Sequence, residues 1–412
     1  MNAAVITIGD ELLIGQVINT NQAYIARKLN DAGVSVDSMV TVGDSQPAIL
    51  GAFRDAWEKF DVVVVTGGLG PTHDDITKHA VCTFFDSPLE TRQELIDHIR
   101  ALLARRNIPW RASHEEQALF PAKASVVPNP LGTAAGMKFE MDKRFFFVLP
   151  GVPYELKAMI DETVAPFLRN RPESRAIRHR TLRTSGATES FLASEIGPVE
   201  AFLQAATLAF LPSPTGVRLR ISVQTSDPHQ ADAEIQRIEA FIRGRVGRFV
   251  YGVDEEELEE VVGRLLTDAK LTLAVAESCT GGHIADRITH VSGSSAYFDR
   301  GVVTYSNASK TELLGVPASL IESEGAVSES VARAMADGMR RMANTAIGLS
   351  TTGIAGPTGG TPGKPVGLVW IGYADSRTSF AKRYQFGNER LVVKERASQA
   401  ALEILWRQLT ET

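Results

Sequence analysis

The sequence predicts an α/β fold divided into three domains, and three observations carry that prediction. Short apolar runs rich in β-branched or aromatic residues, DVVVVT (61–66) and FFFVLP (145–150), lack alternation and end at glycine or proline, as strands buried on both faces of a largely parallel sheet do. Stretches with helical spacing alternate with these runs, the pattern of an open sheet that binds ligands beyond its strand C-termini. The composition turns charged around 169–178 and acidic at 254–260; these shifts place domain boundaries so that the domains span 1–170, 171–253 and 254–412.

In order, 5–8 is a short strand ending at Gly9, 23–30 a helix closed by Gly33, 34–42 extended, 49–60 a helix and 61–66 a buried strand followed by GGLGP. The middle stretch reads as α+β: a strand at 179–184, a helix at 189–196, the alternating strand VRLRISV at 217–223, a helix at 230–246 and a strand at 248–253. The last domain starts a new α/β unit, with a strand at 271–276, a helix from Thr280 onward, an extended stretch at 302–305, a helix at 331–343, and strands at 346–351 and 368–374. Its closing helix carries Val393, Ala397, Ala400 and Ile404 on one face.

The chain has 412 residues, more than one ordinary core accommodates. Its formal net charge of -6 gives no electrostatic support to nucleic-acid binding. No apolar run approaches the about 18 residues of a membrane helix. The opening MNAAVITIGD lacks the basic and apolar regions of a secretory signal. Cys82 and Cys279 are the only cysteines and have no metal-site or disulfide spacing. Together these point to a cytoplasmic location.

Chemistry concentrates in the last domain. LAVAESCTGG puts Glu277, Ser278 and Cys279 at a strand end before a helix, with Gly281 and Gly282 allowing close backbone approach. Free N–H groups at such a helix start can hold a phosphate or an oxyanion. Ser278 is placed as a nucleophile that needs a base; its ordinary alternative, like that of Thr280, is a helix cap. FDRGVVTYSNASK places Tyr305, Ser306, Asn307 and Lys310 in one polar turn, which otherwise reads as a solvated loop with a surface lysine. STTGIAGPTGG brings Thr352, Gly353 and Gly356 into a loop whose amides can form an anion nest, and FGNER sets Arg390 before a helix. Three glycine- and hydroxyl-rich strand ends with one arginine suggest a phosphate-bearing ligand. His283 and His290 fall on the following helix, which leaves Lys310 as the base, provided that burial lowers its pKa.

AESCTGG, GSSAYFDRGVVTYSNASK, GAVSES, TTGIAGPTGG and KPVGLVWIG resemble the C-terminal domain of the CinA family in order and nearly throughout. The resemblance implies an amidase domain that converts nicotinamide mononucleotide to nicotinate mononucleotide and ammonia without a cofactor. The family's serine–lysine pair falls on Ser278 and Lys310, its tyrosine on Tyr305, its threonine on Thr352 and its arginine, a candidate for the nucleotide phosphate, on Arg390. Cys279 is a rival nucleophile that the resemblance ranks below Ser278.

In the first domain TGGLGPTHDDITK follows a strand: Gly67, Gly68 and Gly70 form a tight loop, Thr72 offers a hydroxyl, and Asp74 and Asp75 open a helix. Such a loop with carboxylates suits a magnesium-like ion bridging a pyrophosphate, or is simply a connection with acidic residues at a helix start. With GDELLIGQVINTNQ (Asp10, Glu11, Asn21), TVGDS (Asp44) and LPGVPYEL (Gly151, Pro153), it resembles the three-layer molybdopterin-binding fold that also begins CinA proteins. The resemblance implies an ADP-ribose pyrophosphatase using a divalent metal of the magnesium, manganese or cobalt class, with Asp44 and Asp75 as metal or catalytic acids. The middle domain resembles the KH-type domain of the same family but has no basic GxxG loop, so RNA binding is not inferred. The expected whole is a homodimeric, bifunctional enzyme of pyridine-nucleotide salvage. The alternatives are molybdopterin handling by the first domain, and a competence or repair partner without catalysis.

Overall fold

The computed structural model describes residues 1–412 except 71–75, 172–175, 200–201, 204–205, 226 and 411–412. The chain divides into two compact units, Met1–Arg178 with Val223–Ala233 and His179–Ser222 with Glu234–Thr412.

The first unit contains β1 (Asn2–Ile8), β2 (Ser35–Val42), β3 (Val62–Thr66), β4 (Leu89–Thr91), β5 (Leu119–Pro121), β6 (Ser125–Val127), β7 (Gly136–Met141) and β8 (Arg144–Leu149). Six of these form one sheet in the order β2-β1-β3-β8-β7-β6, while β4 and β5 pair separately. Strands β2, β1, β3 and β8 run parallel; β7 and β6 continue the sheet antiparallel. Successive side chains of a strand point to opposite faces. Accordingly Val63 and Val65 enter a core with Ile49, Phe53 and Phe146, whereas Val62 and Val64 enter another with Ile25, Leu29 and Phe147. The continuous VVVV run thus serves two helix layers at once, each buried valine worth on the order of 1.5–3 kcal/mol over exposure. The three-layer fold follows directly.

The second unit opens with β9 (Ala176–Thr184), β10 (Ala206–Ser213), β11 (Gly216–Thr225) and β12 (Val250–Val253), in the sheet order β10-β11-β9-β12. It continues with β13 (Leu273–Glu277), β14 (Phe298–Val303), β15 (Ile347–Gly353), β16 (Leu368–Ala374) and β17 (Ser379–Gln385), ordered β14-β13-β15-β16-β17. Here too the central strand feeds two cores. Leu273 and Val275 pack with residues of helices Leu258–Ala269 and Arg390–Thr410; Ala274 and Ala276 pack with Val331, Met335 and Met339 of helix Glu329–Ala343. Strands β14, β13 and β15 are parallel, with Glu277 level with Val303 and Thr351. Their C-terminal ends therefore release three chain segments side by side.

Two sequence expectations change. The helix expected from Thr280 spans His283–His290, because residues 278–282 form a turn. Lys310 lies not in a polar turn but inside helix Asn307–Leu314, which Ser306 caps by accepting from the Ser309 amide at 3.1 Å. Among the described residues no helix is long and apolar enough to cross a membrane.

Candidate functional site

Ser278 is the first residue beyond β13, and its amide donates to the Thr351 carbonyl of β15 at 3.0 Å. Residues 304–306 leave β14 beside it and start the helix that returns Lys310 toward the serine. Lys310 Nζ is 3.1 Å from Ser278 Oγ and donates to the Thr304 carbonyl at 2.7 Å. Ser278 is 8% exposed and Lys310 only 1%. No carboxylate pairs with this amine among the described residues, and burial pulls its pKa below the usual lysine value. The lysine is thus no surface residue. It is held against a hydroxyl in the environment that favours its neutral, proton-accepting form.

The turn between Ser278 and the helix has a shape that only its sequence permits. Gly281 has φ +63 and Gly282, the N-cap, has φ +96, a region that costs other L-residues about 1–2 kcal/mol each. The buried Glu277 carboxylate accepts from the amides of Gly282, Ile284 and Ala285 at 2.9, 3.2 and 2.9 Å. This overturns the expectation that the helix N-terminus is free for a phosphate or oxyanion: the protein's own anion already occupies it. Gly281 donates to the Ser278 carbonyl at 3.1 Å. Among the described residues, neither the Cys279 nor the Thr280 amide has a backbone carbonyl acceptor. Neither Ser278 nor Thr280 is the cap; Thr280 Oγ1 lies 2.8 Å from Thr351 Oγ1 in the interior.

The remaining predicted residues converge on the same end of the sheet with differing roles. Arg390 donates through Nη1 to the Gly356 carbonyl at 3.0 Å and through Nη2 to Tyr305 Oη at 2.9 Å. The arginine, the tyrosine and the glycine loop are therefore tied together, with both terminal nitrogens of the guanidinium engaged. Thr352 Oγ1 donates to the Ala326 carbonyl at 2.8 Å, so its hydroxyl hydrogen is committed to the framework. Gly353 closes β15 against the Leu368 backbone of β16. Cys279 is buried, and burial pushes its thiol up to about 12, the opposite of an activated thiolate. His283 and His290 lie on the following helix. Two residues passed over in the sequence belong here: Thr304, whose carbonyl takes a Lys310 proton, and Lys394, whose amine sits near Gly281. Thr304 lies inside the FDRGVVTYSNASK block without being singled out there, and no motif marks Lys394.

The first unit carries a cavity of about 390 Å³ beyond the C-terminal ends of β1 and β3, lined by Thr66, Gly67, Gly68, Asn21, Glu11 and Asp44 among others. Gly67 has φ +111, and a Cβ there would lie 2.2 Å from the Ile8 carbonyl oxygen, so the loop needs glycine. Asp44 and Asp10 are locked reciprocally: the Asp10 amide donates to Asp44 Oδ2 at 3.0 Å and the Asp44 amide to Asp10 Oδ1 at 3.2 Å. Asn21 Nδ2 donates to the Gly151 carbonyl at 2.7 Å, while its Oδ1 is buried and unpartnered. The donors suit a hard divalent ion in kind, since carboxylates and an orphaned amide oxygen line one cavity. Among the described residues, however, no three His, Cys, Asp or Glu side chains gather closely enough to hold a metal. Thr72, Asp74 and Asp75 lie outside the described residues. Gly70 lines a neighbouring cavity with Glu155, not this one.

The fold and these sites define a class: a three-domain α/β chain with a molybdopterin-binding-like first domain and a buried serine–lysine pair in its last. Comparison with known proteins narrows this. Residues 4–170 match the family model "Probable molybdopterin binding domain", 179–252 the "Damage-inducible protein CinA KH domain" and 255–409 the "CinA C-terminal domain". The CinA-like protein of Salinibacter ruber is 44% identical over 405 residues, covering 98% of each chain. That of Syntrophus aciditrophicus is 42% identical over 412 residues, covering 99% of this chain and 98% of its own. A CinA superfamily structure from Klebsiella pneumoniae is 32% identical with TM-score 0.37, covering 38% of this chain and 97% of its own. The competence/damage inducible protein CihA of Agrobacterium tumefaciens is 36% identical with TM-score 0.35, covering 36% and 94%. The chain belongs to the CinA family.

Proposed function

We propose that the last domain hydrolyses nicotinamide mononucleotide to nicotinate mononucleotide and ammonia. The observation that carries this reading is the buried, carboxylate-free Lys310, with Nζ 3.1 Å from Ser278 Oγ. In its neutral form Nζ keeps one N–H on the Thr304 carbonyl and turns its lone pair to the Ser278 hydroxyl. Ser278 Oγ attacks the carboxamide carbon as Lys310 takes its proton. The tetrahedral intermediate places its negative oxygen near the Cys279 amide. Collapse breaks the C–N bond, and Lys310 returns the proton to the departing nitrogen, which leaves as ammonia. Water, deprotonated by the same lysine, then cleaves the acyl-serine ester to free the nicotinate product and restore Ser278. No cofactor enters this reaction.

For the first domain we propose metal-dependent cleavage of ADP-ribose at its pyrophosphate. Asp44 and Asp75 would hold the metal, of the magnesium, manganese or cobalt class. When bound, such an ion neutralises pyrophosphate charge and activates the attacking oxygen. The chain's own part is to present the Gly67–Gly68 backbone to the phosphates and to shape the cavity behind them. Molybdopterin binding is the second reading, favoured by the family model that matches 4–170. We place the protein in the cytoplasm as a homodimer that acts on small nucleotides rather than on nucleic acid.

The test is direct: incubate the purified chain separately with nicotinamide mononucleotide and with ADP-ribose plus divalent metal, and identify the products. Ammonia from the first, and AMP with ribose phosphate from the second, are expected. Absence of either product removes the corresponding half, and absence of both leaves a binding protein.

A further inference from the structure

Lys394 belongs to no motif, yet its position is distinctive. It lies four residues after Arg390 on helix Arg390–Thr410, one turn along the same face, about 6 Å further on. Its Nζ lies 3.6 Å from where a Cβ on Gly281 would stand, alongside the turn that carries Ser278. The residue is half-buried. Among the described residues its amine has neither hydrogen bond nor ion pair. A lysine surrenders considerable rotamer entropy when held this way, and an ammonium without a partner in the chain beside the Gly281 turn is open to an anion from outside it. Two nearby features bear on where that anion is held. At the helix start behind Ser278 the amides of Gly282, Ile284 and Ala285 are already taken by Glu277. Arg390 commits one N–H of each terminal nitrogen, to the Gly356 carbonyl and to Tyr305 Oη, which fixes the orientation of its guanidinium and leaves its other donors open. Lys394 adds a second cation at this rim, one turn along the same helix.

We propose that Lys394 recognises the phosphate monoester of the substrate and so selects a mononucleotide over the corresponding nucleoside, with Arg390 as the anchored second cation. This rests on the deamidase reading of the Ser278 site. The test compares nicotinamide mononucleotide with nicotinamide riboside as substrates of the full chain, in wild type, Lys394→Met and Lys394→Arg. The kcat/KM ratio of mononucleotide to riboside should fall roughly 10- to 100-fold in Lys394→Met, the scale of losing one charge-assisted hydrogen bond. The loss should appear in KM rather than kcat, and Lys394→Arg should restore most of it. An unchanged ratio, or an equal loss on both substrates, overturns the proposal. Calorimetric binding of nicotinate mononucleotide and nicotinate riboside to the same chains separates the two readings. If wild type releases no ammonia but binds the mononucleotide in a Lys394-dependent way, the reaction is wrong and the phosphate contact stands. If Lys394→Met binds the mononucleotide as tightly as wild type, the phosphate contact is wrong whatever the reaction.

Discussion

The two candidate sites sit at equivalent places, beyond the C-terminal ends of parallel strands in two separate α/β sheets, but they are built in opposite ways. In the last domain three strand ends lie level, and each delivers part of one compact constellation: Ser278 after β13, Thr304 and Lys310 after β14, and the Thr351 carbonyl from β15. The reacting groups are buried and their polar surroundings largely satisfied. In the first domain the described acids are Asp44, locked to the Asp10 backbone, and Glu11, at the wall of an open cavity of about 390 Å³. One site is preorganised by the chain alone. The other has its donors spread around a space shaped for a ligand. The difference matches the chemistry proposed: a nucleophile and base must meet within hydrogen-bond distance before substrate arrives, whereas a pyrophosphate and its cation bring charge of their own.

The comparison can be broken most severely at the serine. Ser278→Ala should lower ammonia release by roughly 10³-fold or more, and Lys310→Arg by roughly 10²- to 10⁴-fold although it keeps the charge, because guanidinium does not deprotonate. Substantial turnover in Lys310→Arg together with loss in Cys279→Ser would replace this mechanism with a cysteine one. Asp75→Ala should abolish metal-dependent ADP-ribose cleavage while leaving deamidation within about twofold. ADP-ribose hydrolysis unaltered in that variant refutes the acid's assignment. A milder probe is pH. Since burial lowers the Lys310 pKa, the fraction of active, neutral amine grows as pH rises, so kcat/KM for deamidation should climb through that pKa and level off below the usual lysine value. A rate that falls over this range contradicts the lysine base.

The smallest effect concerns stability. Because the folded state disfavours the Lys310 proton, the unfolded chain binds more protons between the lowered pKa and the ordinary lysine value of 10.5. Stability therefore rises with pH across that window and is reduced throughout the range below it. Lys310→Met should then raise the melting temperature of the last domain at neutral pH by about 1–4 °C while abolishing turnover. A lower melting point by calorimetry means that the amine's bonds to Thr304 and Ser278 outweigh its desolvation.

The apolar runs at 61–66 and 145–150 made the parallel sheet legible, because burial on both faces erases alternation and leaves a signature in the sequence itself. Ser278 and Lys310 were legible as a resemblance, but not as a contact: 32 residues separate them, and only the register of β13 with β14 brings them together. Glu277 was visible at the strand end, yet its role was not. That its carboxylate folds forward onto the next helix depends on the two left-handed glycines, and only the backbone path reveals it. Lys394 was invisible for a similar reason, since a lone lysine on an amphipathic helix reads as solvated until the facing loop is known.

Cys279 carries a consequence for the chemistry of damage. Oxidants and alkylating agents react with the thiolate, not the thiol. With burial pushing its pKa up to about 12, this cysteine stays a thiol at pH 7. In the proposed mechanism its neighbour Ser278 is the nucleophile, a hydroxyl that peroxide does not attack. Under the proposed serine mechanism, the turn offers oxidants no activated thiolate to attack.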